Sequence, residues 1–174
     1  MQCHTRTATA FAWLNAGSVI ATVGTSQNRQ NLCIWDTLLP SNKMLIHAEV
    51  CHDSGASAVM FSPSHFRLFT GGDKGEIGIF DLRMLQMQRV LDGHSSTIQT
   101  MSLSNNSGFL HTGCRDGTIK VWDISAIQEG GSAEPGGPEP GLVADSKAAH
   151  VRHTGALGMF SSHTVRSCRP AHRW

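Results

Sequence analysis

Apolar and polar positions along this chain alternate in short runs, and the turns between them are rich in Gly, Asn and Asp. The clearest run begins at Thr97-Ile98-Gln99-Thr100-Met101-Ser102-Leu103, where every second residue is apolar or small. Asn105-Asn106-Ser107-Gly108 breaks it, Phe109-Leu110-His111-Thr112 resumes it, Arg115-Asp116-Gly117 breaks it again, and Thr118-Ile119-Lys120-Val121-Trp122-Asp123 closes the unit. Period-two segments bounded by such residues predict successive antiparallel strands.

The same grammar occurs three times. Counting from His94, Met101 and Leu103 are followed by Thr112 and Trp122; from His52, the matching positions are Val59, Phe61, Thr70 and Phe80. From His4 they are Phe11, Trp13 and Thr22, and Trp35 then comes late because the turn at Thr25-Ser26-Gln27-Asn28-Arg29-Gln30 is longer. Three registers agreeing at four positions establish an internal repeat.

Within the first repeat, residues 4–51, the pattern predicts strands at Ala8–Leu14, Ser18–Val23, Asn31–Asp36 and Lys43–Val50, with a turn at Asn15-Ala16-Gly17. The second repeat, 52–92, turns at Gly72-Asp73-Lys74-Gly75 and ends on an outer strand at Gln86–Leu91. The third, 93–124, is the most regular, yet no fourth strand follows Ile124. Glu129 to Gly141 is instead a run of Gly, Pro, Glu, Ser and Ala. That composition predicts a flexible linker. Beyond it, residues 142–174 hold five Lys or Arg, four His and one Asp without a sustained period. The expectation is repeats over 1–124, and a linker with a disordered tail over 125–174 that the repeats can fold without.

Composition adds modest constraints. A formal charge of +1 and 40% hydrophobic residues suit a soluble chain. Residues 7–28 carry no charge. However, Asn15, Gly17, Ser18, Thr22 and Gly24 interrupt them, so the stretch reads as two strands and not as a signal peptide or spanning helix. The five cysteines (Cys3, Cys33, Cys51, Cys114, Cys168) form no C-x-x-C pair, which predicts reduced thiols. Cys51-His52-Asp53 lacks metal-ligand spacing, since neighbouring strand residues point to opposite faces. The basic charges of the tail are dispersed, with Phe160 and Trp174 as the residues that could stack on bases, a weak nucleic-acid signal.

The unit from Gly93-His94 to Trp122-Asp123 resembles a WD repeat, one four-stranded blade of a β-propeller. The fold expected is therefore all-β: a partial propeller of about three blades, since closed rings have about four to eight. The resemblance implies a buried hydrogen-bonded tetrad of His, Thr, Asp and Trp, whose groups satisfy one another away from water. It carries onto His94, Thr112, Asp116 and Trp122 in the third repeat. In the first it carries onto His4, Thr22 and Trp35, the longer turn obscuring an Asp. In the second His52 and Thr70 match, but Phe80 has no N–H and Lys74 stands in the Asp register, with Asp73 one residue earlier. These residues read as fasteners of the blades, so no catalytic, cofactor or metal site is expected.

Cys51-His52-Asp53-Ser54-Gly55-Ala56, Gly71-Gly72-Asp73-Lys74-Gly75 and Ile79-Phe80-Asp81-Leu82-Arg83 are more distinctive than a generic repeat, as is Asn31-Leu32-Cys33-Ile34-Trp35-Asp36-Thr37-Leu38. Together they resemble the C-terminal WD repeats of the DmX-like, or rabconnectin, family over residues 4–124. That resemblance implies a non-catalytic scaffold related to a subunit of the complex that reassembles the vacuolar proton pump (V-ATPase). It further implies pump subunits and assembly factors as partners, and a cytoplasmic location peripheral to vesicles or endosomes. Membrane association would be indirect, with no small-molecule substrate, cofactor or nucleic acid. The alternatives are a WD-repeat adaptor of a ubiquitin-ligase or trafficking complex and, third, an enzyme or nucleic-acid binder.

Overall fold

A computed structural model describes residues 3–14, 17–128 and 141–147. The described strands form three four-stranded antiparallel meanders. The first contains β1 (Thr7–Trp13), β2 (Val19–Thr25), β3 (Leu32–Asp36) and β4 (Leu45–Glu49). The second contains β5 (Ala56–Ser62), β6 (Arg67–Gly72), β7 (Glu76–Asp81) and β8 (Gln86–Asp92). The third contains β9 (Ile98–Leu103), β10 (Phe109–Cys114), β11 (Thr118–Asp123), a short helix α1 (Ile124–Gln128) and β12 (Leu142–Lys147). The uncharged stretch is thus two paired strands, Phe11 opposite Thr22 and Trp13 opposite Ile20. No described helix is long and apolar enough to cross a membrane.

The sheets stack through their innermost strands, β1 against β5 and β5 against β9. Because side chains alternate across a strand, each blade offers two faces, and the core is split between two blade junctions. At the first junction Ala21, Val23, Leu32 and Ile34 meet Val59, Phe61, Leu68 and Phe80. At the second Ala58, Phe69, Ile77 and Ile79 meet Met101, Leu110 and Trp122. The small residues Ala10 and Ala12 on one side admit bulky ones from the other, as interdigitation at interior density requires.

Bulges tie the junctions. The β1–β2 register slips between Ala8 and Ala10, and the β5–β6 register between Ala56 and Ala58. The extra residues, Thr9 and Ser57, turn their hydroxyls toward the next blade. Thr9 Oγ1 lies 3.0 Å from the Val23 carbonyl and 2.6 Å from that of Ala56. Ser57 Oγ lies 3.1 Å from the Gly71 carbonyl and 2.6 Å from that of Ile98. Each donor therefore sits between its own second strand and its neighbour's first. A buried Asn31 reinforces the first crossing: its carboxamide oxygen accepts from the Cys51 amide at 2.7 Å, and its nitrogen donates to the His52 carbonyl. At the second crossing, Gly75 turns left-handed at φ +95° and its carbonyl accepts the His94 amide at 2.9 Å. A Cβ on Gly75 would collide with the His94 backbone, so this position needs glycine.

One expectation is corrected. The third blade does not lack an outer strand: β12 pairs with β11, Val121 opposite Ala144 and Trp122 opposite Leu142. Leu142 packs against the second core. An unpaired β11 would leave a row of open N–H and C=O groups. Closure entropy grows only logarithmically with the number of residues between two paired strands, so the separation of β11 and β12 in sequence adds little cost. The boundary between blade and tail therefore does not fall at residue 124. The expected Gly/Pro-rich linker over 129–140, the tail from 148 onward and the turn residues 15–16 lie outside the described residues.

The described stack does not close into a ring, and its first blade shows the consequence. Positions that bury Val59 and Phe61 in the second blade hold Phe11 and Trp13 in the first, which are 64% and 56% exposed. They line a shallow apolar hollow with Cys3 and Ile20. The purified chain is expected to self-associate through this face, and Trp13→Asp to reduce the association. Truncation after Gln128, which removes β12, should increase it. Sedimentation velocity at micromolar concentration checks all three; a monomeric parent chain would contradict the reading.

Candidate functional site

The repeated polar residues are assembled by strand register. Thr112 sits on β10 opposite Lys120 on β11, and Trp122 lies one strand-pleat further on the same face. His94 enters from the loop before β9. Its Nε2 lies 2.7 Å from Thr112 Oγ1, and Trp122 Nε1 donates to the same hydroxyl at 2.9 Å. His94 Nδ1 lies 3.0 Å from Thr118 Oγ1, which in turn donates to Asp116 Oδ1 at 2.7 Å.

Donor counting fixes the proton positions. The indole N–H only donates, so Thr112 accepts it, and once Nδ1 carries the proton of a neutral ring, His94 Nε2 is left to accept the Thr112 hydroxyl. The Asp116 carboxylate only accepts, so Thr118 gives it a proton and takes one from His94 Nδ1. The chain runs Trp122, Thr112, His94, Thr118, Asp116, with every bond polarised the same way. The four residues are brought together, but Asp116 reaches His94 through Thr118 and not directly. The Thr118 hydroxyl and amide and the Ser95 hydroxyl hold the Asp116 carboxyl well below the usual carboxylate range. Burial lowers the His94 pKa, which keeps the imidazole in the neutral form this relay needs.

In the first blade Trp35 Nε1 donates to Thr22 Oγ1 at 2.9 Å, and Thr22 Oγ1 lies 3.2 Å from His4 Nε2. Ser26 Oγ lies 3.3 Å from His4 Nδ1, in the place the longer turn had obscured. A hydroxyl at the end of the relay supplies an acceptor without a charge.

The second blade is the incomplete one. His52 Nε2 lies 2.9 Å from Thr70 Oγ1, but Phe80 brings no N–H and His52 Nδ1 is buried without a hydrogen-bond partner. Asp73 does not take that role; its carboxylate sits against the left-handed Gly55 instead. Glu76 is nearer in effect, its charge opposing the burial that lowers the His52 pKa. Cys51 replaces the usual glycine, and burial pushes its thiol up to about 12, so it behaves as a small apolar group.

Sequence reasoning missed Ser26, Thr118, Ser95 and the bulge hydroxyls of Thr9 and Ser57. A hydroxyl two residues after Asp116 was the available signal, because an Asp oxygen commonly takes bonds from the residue two positions on. The bulges left no such trace.

One cluster offers metal-type ligands: atoms of His94, Cys114 and Asp116 lie within 4.8 Å of one another. Each is already engaged by the protein. Both imidazole nitrogens and both Asp116 oxygens have partners, and Cys114 Sγ donates to the Ser96 carbonyl at 3.1 Å. A cation would have to break the relay that ties the blade, so the arrangement acts as structure.

Two predictions follow from the relay. His94→Ala leaves the Thr112 and Thr118 hydroxyls without their imidazole partner, and the expected loss is about 1–3 kcal/mol by denaturant titration. Unchanged midpoint and m-value would contradict it. For pH, burial lowers the pKa of His4, His52 and His94 from the ordinary 6.5. The unfolded chain then binds protons that the fold refuses, so stability is full above about pH 6.5 and falls as pH drops toward the folded values. Thermal melts between pH 7.5 and 5 should show that fall, less steeply in a His52→Gln variant; a flat profile would contradict it.

The family model for "WD domain, G-beta repeat" matches residues 85–123. DmX-like protein 1 of Mus musculus is 39% identical over 126 residues, which is 72% of this chain and 4% of that protein. DmX-like protein 1 of Homo sapiens is 38% identical over 126 residues, with the same coverage. The crystal structure of the computationally designed Ika8 protein superposes with a TM-score of 0.61 at 24% identity, covering 83% of this chain and 37% of that one, a likeness of fold. The chain thus spans about 4% of the length of the curated relatives it matches. Its blades are WD repeats, and over most of its length the chain is similar to the DmX-like proteins.

Proposed function

We propose that this chain is a non-catalytic protein-interaction module working in assembly of the vacuolar proton pump, at the cytoplasmic side of vesicles or endosomes. The observation that supports an interaction role is the exposure of Phe11 and Trp13 at register positions that are buried in the next blade. An apolar surface of that kind is a protein-packing face. The His, Thr, Trp and Asp residues of the repeats, whose types suggest chemistry, are consumed by the blade relays. The pump itself is supported by the DmX-like resemblance, in which large scaffolds promote association of the soluble and membrane sectors.

The test is affinity capture of the tagged full chain from cells, with Trp13→Asp as comparison. Pump subunits and assembly factors should be enriched with the parent chain and reduced at least several-fold with the variant. Enrichment of ubiquitin-ligase subunits without pump subunits would overturn the pump reading in favour of a generic adaptor.

A further inference from the structure

The second blade carries a second surface, on the turns after β5 and β7, that neither the relay nor the blade junctions use. The turn joining the first two strands holds a left-handed residue in every blade: Gly17, Phe66 and Ser107, at φ 69°, 52° and 55°. In the second blade that residue is aromatic, a choice that backbone sterics disfavour. A second bulky left-handed residue, Leu85 at φ 51°, lies in the turn between β7 and β8. Two such residues in turns that touch each other call for a reason other than folding.

The two turns are built into one platform. The Leu82 amide donates to the Phe66 carbonyl at 3.1 Å, and the Arg83 guanidinium lies over the Phe66 ring at 4.9 Å. Beneath them Asp81, 8% exposed, accepts from the amides of Arg83 and Met84 at 2.7 and 3.1 Å. Its other oxygen takes Gln88 Nε2 at 2.9 Å and faces Arg67 Nε at 4.0 Å. A carboxylate committed on both oxygens fixes the turn. What it displays is Phe66, Met84 and Leu85, which are 39%, 63% and 39% exposed. The equivalent turn of the first blade carries Leu38, 80% exposed.

Charge tells which partner fits. Residues 54–72 and 81–91 contain Arg67, Arg83 and Arg89 against a single carboxylate, the buried Asp81, which Arg67 faces. The platform is apolar at its centre, with the exposed Arg83 at its rim. Aromatic, Met and Arg side chains on a preorganised turn are the composition of an interface centre.

We propose that this platform docks a peptide segment of a partner protein in which a bulky apolar side chain is flanked by carboxylates. The apolar residue packs on Phe66, Met84 and Leu85, and a carboxylate pairs with the outward edge of Arg83 in a charge-assisted hydrogen bond. A protein segment is favoured over an anionic membrane because a membrane surface calls for a cluster of basic groups, whereas Arg67 here faces Asp81 and Arg83 stands beside Phe66. This deepens the interaction-module reading and rests on it, though not on the identity of the pump.

The test is fluorescence anisotropy of the full 174-residue chain with a labelled peptide, Gly-Glu-Glu-Leu-Phe-Glu-Glu-Gly, with two companions. One companion has Gln for each Glu; the other has Ala for Leu and Phe. The acidic apolar peptide should bind, and each companion should bind about tenfold more weakly. Arg83→Gln should weaken the first peptide about tenfold. Phe66→Gly, which relieves the left-handed backbone, should weaken it similarly while melting at the same temperature or higher. Arg29→Gln, on the β2–β3 turn, should leave binding unchanged. Binding unaffected by Arg83→Gln and Phe66→Gly overturns the proposal, as does equal binding of the Gln companion. So does absence of binding to the peptide, with or without binding to vesicles of phosphatidylserine. Because the titration uses purified chain, its failure is separable from a failure to capture pump subunits in cells.

Discussion

A sheet that is apolar on both faces must be covered on both, and that constraint governs everything else. A four-stranded sheet with one apolar face needs one neighbour; a sheet with two needs neighbours on both sides. The second blade has them, and its Leu68, Phe69, Ile77 and Phe80 are fully buried. The first blade has one, and Phe11 and Trp13 are left in water. The third blade also has one, but its outward register holds Thr100, Ser102 and His111, where the second blade has Ala58, Met60 and Phe69. The two ends of the stack are therefore unlike. One end needs a partner; the other tolerates solvent.

Within that stack the polar relays act as local fasteners. In the first and third blades they link the entering loop to the second and third strands, and in the second blade to the second strand, so a blade cannot shear without breaking a buried bond. The relays differ in ways that follow from their endpoints. Asp116 ends the third with a charge held by three donors, Ser26 ends the first with a neutral hydroxyl, and the second stops at an unpartnered His52 Nδ1. The second blade offsets its poorer relay with the best-covered core, since Phe80 fills apolar space where the other blades place Trp. Burial and hydrogen bonding trade places from blade to blade.

Much of this was legible in the residues alone, because the repeat sets strand order, strand register and the residues that meet. Offsets from three histidines located Thr22, Thr70 and Thr112 and the side chains that pack around them. The unread parts have definite physical reasons. The outer strand β12 was hidden because a Gly/Pro-rich stretch interrupts the repeat, and Leu142-Val143-Ala144-Asp145 is too short to show a period. Thr9 and Ser57 were hidden because a bulge is a property of two paired strands, not of either sequence. Ser26 was masked by the turn that delays Trp35. Phe66 and Leu85 carried no signal in the sequence, since positive φ is invisible without a backbone.

Amide hydrogen exchange on the full chain tests the central claim, three complete blades whose stability is set by neighbours, most directly. The account predicts the slowest exchange in β6 and β7 of the doubly covered blade. It predicts intermediate protection in β2, β3, β10 and β11, and measurable protection in β12 that rises and falls with β11. Random-coil exchange across residues 142–147 beside a protected β11, or a middle blade no better protected than its neighbours, would contradict it.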